Sequence, residues 1–204
     1  MIIASIYLFI LALLLALIEI EIEGKFGWAE KIPTWYKKTG ISKAFYLLNG
    51  KKPLTGYHLF MLSFLFLIFH LVFFLGLIWT LQKELFILAI FFILSCNWDF
   101  LWFVLNPYYT IKNYRKDKIW WFSQSKWVFN IFPIDYVCAF IIASILIITT
   151  ALYSNNYLIV IDYLTLLITL LALTIITILL SPIYHRWYKE MRKKDERNLI
   201  RIFH

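Results

Sequence analysis

Five long apolar runs divide this chain, and nearly all of its positive charge lies in the stretches between and after them. A helix needs about 17–25 apolar residues to cross the hydrocarbon core of a bilayer. The runs meet that length and predict spans at about 2–22, 57–81, 85–106, 134–153 and 157–181. Nineteen of the twenty Lys and Arg residues fall in three polar stretches: seven in 24–55, five in 107–133 and seven after Pro182. Only Lys83 lies elsewhere. Basic residues beside a span resist translocation. With one, two and two spans before and between them, all three stretches are expected on the cytoplasmic side. The N-terminus and two short turns, at Gln82-Lys83-Glu84 and Ser154-Asn155-Asn156, are then expected outside.

The expected fold class is therefore all-α: an integral membrane bundle of about five transmembrane helices, N-terminus out and C-terminus in, in the cell membrane. Residues 1–182 form the membrane domain, with cytoplasmic interfacial loops at 24–55 and 107–133, and 183–204 form a basic tail. Pro107 marks the end of the third span and Pro133 the approach to the fourth. Six of the nine tryptophans lie in the cytoplasmic stretches. Indole rings favour the head-group layer, so the run 120–127 and the tail to about Arg201 are expected to lie along the membrane. The apolar run at Ile2–Ile18 lacks a basic n-region and a cleavage site, which predicts a retained helix rather than a signal peptide.

Composition narrows the partners. Apolar residues make up 62% of the chain and charged residues 16%, below the ~25% usual for soluble proteins. A net charge of +8 beside apolar spans points to anionic lipid head groups rather than nucleic acid. A homo-oligomer or a larger membrane complex is compatible with the pattern. Cys96 and Cys138 lie inside predicted spans without a CxxC spacing, so they read as small buried thiols.

Ionisable groups at membrane depth carry the functional signal, since each costs ~2.5–3.5 kcal/mol or more near the bilayer centre. Asp99 lies ~10 Å inside its helix end, counted from Asn106 at ~1.5 Å per residue. Ser95, Asp99, Trp102 and Asn106 share one helical face, which should meet protein or water. Glu19 and Glu23 share a face at the end of span one, with Glu21 nearly opposite. Like charges at that spacing repel, and a metal, a lipid amine or a nearby lysine would relieve them. His58 opens span two and Asp135 opens span four at a compatible depth.

Glu19, Glu23, His58, Asp99 and Asp135 thus form a candidate set. Carboxylate plus imidazole suits a divalent metal such as zinc, iron or manganese. Asp99, Glu19, Glu23 and His58 would also serve acid–base catalysis. The chain has no HExxH motif, no ExxH pair and no His-rich box. His70, away from the other histidines and with Ser63 on its face, reads as a hydrogen-bonded buried histidine, and Asp162, with Thr165 and Thr169, as an outer-leaflet network. The loop 23–35 holds two of six glycines, a proline and two tryptophans, which predicts a fixed shape, a lid or rim on the cytoplasmic mouth. No phosphate-cradling loop is present, so ATP use is unsupported.

Three functions fit this pattern. The first is an enzyme acting on a lipid or other apolar substrate by acid–base or metal-assisted chemistry. The second is a structural or assembly subunit of a membrane complex. The third is an ion- or proton-coupled transport protein.

Overall fold

A computed structural model describes residues 1–196. The remainder of the basic tail, including Arg197, Arg201 and His204, lies outside the described residues. The described chain is all-helical, with five helices long and apolar enough to cross a membrane. These are α1 (Ile2–Glu23), α3 (Gly56–Phe74), α4 (Leu81–Leu105), α5 (Ile134–Ser154) and α6 (Leu158–Lys193). A short helix, α2 (Ser42–Leu48), and two ladders of two-residue strands fill the polar stretches. β1 (Tyr36–Lys37) pairs antiparallel with β2 (Leu54–Thr55), and β3 (Trp127–Val128) with β4 (Phe132–Pro133).

Helix α4 is the hub, packing against α1, α3, α5 and α6. It has the most buried face, including Ile90, Ile93, Leu94, Trp98 and Trp102. The inward face of α1 reads Ser5, Ala12, Ala16, Glu19, Glu23, at steps of seven, four, three and four residues. Small residues at Ala12 and Ala16 let the two helix backbones approach closely. The opposite faces are as apolar as the core: Ile3 is 86% exposed, Phe74 82% and Leu179 72%. A helix beside water would carry polar residues there.

Each polar stretch is tied to a helix start. β2 runs straight into α3, so the β1–β2 pairing fixes where α3 begins. The Thr55 side chain accepts from the His58 N–H at 3.1 Å and caps that helix. β4 likewise runs straight into α5.

Two expected boundaries move. The turn after α3 is not Gln82-Lys83-Glu84 but the segment from Leu75 to Thr80, and 82–84 form the first turn of α4. Gly76 reaches φ 106° in that turn, and the Thr80 hydroxyl accepts from the Lys83 N–H. Glu84 then sits where a helix favours an anion. Helix α6 does not stop at 181. It continues through Pro182 to Lys193. Proline deprives the Ile178 carbonyl of its helical donor, and the Ser181 hydroxyl donates to that carbonyl at 2.9 Å. At ~1.5 Å per residue α6 is ~54 Å long, well beyond a ~30 Å hydrocarbon core. The aromatic run at 120–127 is also only partly superficial. Trp121 and Phe122 turn into the core while Trp120 stays exposed.

Candidate functional site

The end of the bundle that carries the basic stretches holds a cluster of buried polar groups. Glu19 and Glu23 come from the inward face of α1, and both are 6% exposed. His58, 7% exposed, comes from the first turn of α3. One ligand atom from each of these three residues lies within 4.8 Å of the other two. Glu21, on the opposite face, is exposed and faces Arg192 at 4.0 Å. The i, i+4 spacing thus selects which two of the three glutamates enter the interior.

A cavity of ≈ 10 Å³ lies among these side chains, bordered also by Asp99 and by the indoles of Trp28, Trp102 and Trp121. That is the space of about one water molecule or ion. Asp99, partly buried on α4, borders it but is not one of the three clustered donors. Its carboxylate accepts a hydrogen bond from the Tyr136 hydroxyl of α5.

The neighbouring contacts fix each donor. His58 Nδ1 lies 2.7 Å from Thr55 Oγ1, which leaves Nε2 toward Glu19 Oε1 at 3.9 Å. Trp28 stacks on the imidazole, with ring centroids 3.9 Å apart, and donates its Nε1–H to the Pro53 carbonyl at 2.8 Å. One oxygen of Glu23 accepts from the Ala29 N–H at 2.5 Å. The loop from Gly24 to Trp35 is therefore folded back over the acids. Trp28 and Ala29 both adopt positive φ, 53° and 57°, which few non-glycine residues do. The Asn106 side chain holds the loop's start, donating to the Gly24 carbonyl at 2.8 Å. At Gly27 a Cβ would come within 1.8 Å of the Trp121 ring, so the loop closes without room for a side chain.

Asp135 does not join the three clustered donors. Lys52 holds it at 2.7 Å, with side chains only 3% and 9% exposed. Depth along the helix is compatible, but position around the bundle is not. Lys52 also lies over the Trp28 and Phe122 rings, at 4.6 and 4.4 Å. Among the described residues it is the one buried lysine or arginine. Counting basic residues by stretch does not separate it from its neighbours. Thr55, Trp28 and Tyr136 were also missed. Each acts through a neighbour rather than by its own residue type.

The field of the acids reaches the loops. Burial, then the charges of Glu23 and Glu30, holds the Tyr36 phenol above its ordinary range. Burial first and then Asp99 raise the Tyr114 phenol likewise.

His70 is hydrogen-bonded, though only half-buried: its Nε2 lies 2.9 Å from Glu84 Oε1, at the opposite end of α3 from His58. Thr165 and Thr169 donate to backbone carbonyls one turn earlier in α6, at Ile161 and Thr165, rather than to Asp162. Ser95 does the same to Phe91.

No protein-family model matches the chain, and comparison with curated proteins and with solved structures gives no match.

Proposed function

We propose that this protein is a multi-pass cell-membrane enzyme, N-terminus outside and C-terminus in the cytoplasm, acting on a lipid or other apolar substrate. The observation that carries this reading is the adjacency of two unlike features. The buried imidazole–carboxylate cluster is linked through the first turn of α3 to an open apolar groove of ≈ 680 Å³, lined by Pro33, Trp35, Tyr57 and Phe60 among others. Tyr57 lines the groove, and its chain neighbour His58 lines the cluster. A groove of that size is within the range for a ligand tail. Lys31, Lys37 and Lys38, which flank its 32–35 lining segment in the sequence, suit an anionic head group at the cytoplasmic face.

In this reading Glu19, Glu23 and His58 handle the proton or hold a metal, and Asp99, oriented by Tyr136, is the third carboxylate facing the reacting group. The cavity admits only one small species as it stands. Access for a substrate group requires the Trp28 loop to lift, as lids commonly do.

The test is lipid turnover. Purified protein in nanodiscs made from a total lipid extract is compared with Asp99→Ala by mass spectrometry. Lipid species that change only with the wild type support an enzyme. Identical profiles count against it. For orientation, a cysteine replacing Asn155 should react with an impermeant reagent on intact cells, and one replacing Lys38 should not.

A second reading has its own support. Several polar groups bridge helices: Thr174 to Asn97 at 3.0 Å, Tyr136 to Asp99, and His185 to the Val104 carbonyl at 3.0 Å. These locks and the wide apolar flank suit a subunit of a membrane complex. A stable partner on gentle extraction, together with no lipid turnover, would favour it. The transport reading has less behind it. The core between the Asn97–Thr174 and Ser144–Tyr163 contacts is aliphatic, with Ile93, Leu166 and Leu170 buried there.

A further inference from the structure

We infer that the cluster is a site for one resident divalent transition-metal ion of the zinc, manganese or iron(II) class, bound by Glu19, Glu23 and His58. This rests on the same site as the enzyme reading and names its cofactor class. Four observations converge on it.

The first is reach. Donors bound ~2.0–2.2 Å from a common ion lie at most ~4.3 Å apart. Three donor atoms within 4.8 Å come into range by moving less than about 1 Å. The cavity between them has the volume of a single ion or water.

The second is the pose of the imidazole. Metal-bound histidines usually donate their other ring N–H to an oxygen, which sets the tautomer. Thr55 Oγ1 sits 2.7 Å from Nδ1 to receive that proton. Nε2 then turns its lone pair toward Glu19. At 3.9 Å the Nε2–Glu19 distance is too long for a hydrogen bond but suits two ligands flanking one ion.

The third is an orphaned donor. Trp102, 3% exposed, borders the cavity, and its buried Nε1 has no hydrogen-bond partner. Buried donors are rarely left so. An oxygen bound to a metal in this cavity, from water or a carboxylate, is the acceptor that position asks for.

The fourth is charge. Glu19 and Glu23 can both ionise at this depth only beside a compensating cation, and the buried Lys52 is already engaged by Asp135. A divalent ion neutralises Glu19 and Glu23. Mixed carboxylate and imidazole donors without thiolate favour zinc, iron or manganese over copper(I).

The experiment uses full-length protein in nanodiscs, stripped with chelator and then dialysed against zinc, manganese or, anaerobically, iron(II), each alone. Elemental analysis should give about one equivalent of at least one of them. Glu19→Gln and His58→Ala should each lower occupancy at least tenfold, while Glu21→Gln keeps it. Thr55→Val should weaken affinity by ~10–100-fold, as loss of such an orienting contact does elsewhere. Where a variant fails to fold, X-ray absorption on the wild type decides. Nitrogen and oxygen neighbours at ~2.0–2.2 Å with imidazole outer-shell scattering support the site, and sulfur neighbours overturn it. Substoichiometric metal in all three dialyses also overturns it, as does full occupancy in Glu19→Gln. Metal binding without lipid turnover removes the enzyme reading and leaves this one standing. Turnover by metal-free protein does the reverse.

Discussion

Both ends of the bundle bring an imidazole to a carboxylate, and the two ends handle the charge differently. Near the α3–α4 turn, His70 meets Glu84 at 2.9 Å, and the second oxygen of Glu84 accepts from Trp79 Nε1 at 3.0 Å. Every polar atom of that trio has a partner, and the pair keeps some exposure, 13% and 20%. At the basic end, Glu19, Glu23 and Asp99 border one cavity with a single imidazole, and the nearest ammonium is spent on Asp135. The Trp102 indole donor there goes without an acceptor. A balanced pair at a helix turn closes a hairpin. The cluster at the basic end, more deeply buried, holds an unmet donor and more carboxyl groups than cations, and a bound cation would balance those carboxyls on ionisation.

The contrast can be broken in order of effect. Lys52→Met leaves Asp135 buried without a counter-charge and should cost ~3–5 kcal/mol in unfolding free energy. Adding Asp135→Asn should recover much of that loss in a double-mutant cycle, and strict additivity would mean that the pair is not coupled. Gly27→Ala drives a methyl into the Trp121 ring and should cost ~1–3 kcal/mol. It should also raise proteolytic nicking of the loop at 24–35, whereas unchanged nicking would show that the loop is not held by that contact. Thr55→Val removes the α3 cap and should cost about 1 kcal/mol, measured by chemical denaturation. Glu84→Gln breaks the partly exposed pair at the far end and should cost no more than ~1 kcal/mol, with metal content unchanged. A loss of metal in Glu84→Gln would couple the two ends and undo the comparison.

Much of the architecture was legible in the sequence. The lengths of the apolar runs placed five long helices, and the four-residue spacing of Glu19 and Glu23 placed both on one face, with Glu21 turned away. What escaped detection was short-range chemistry that competes with pattern. The Gln82-Lys83-Glu84 triplet looked like a turn because it is polar, yet the Thr80 cap makes it a helix start. The fifth apolar run ends at about 181, yet the helix continues through Pro182, where the Ser181 hydroxyl donates to the Ile178 carbonyl. Lys52 is one of seven basic residues in 24–55, and nothing in such a run says which one is drawn inward.

The sequence by itself determined that this chain makes long apolar helices with its charge gathered in the connecting stretches, because apolar length and helical period are local properties. It also singled out Glu19, Glu23, His58, Asp99 and Asp135 as acids and imidazole at one depth. Only the tertiary structure decided among them. The rotation of each helix about its axis and the folding back of the Trp28 loop put Glu19, Glu23 and His58 together. The same packing gave Asp99 to Tyr136 and Asp135 to Lys52. Depth follows from counting residues along one helix. Convergence depends on how several helices turn toward one another, which packing alone sets.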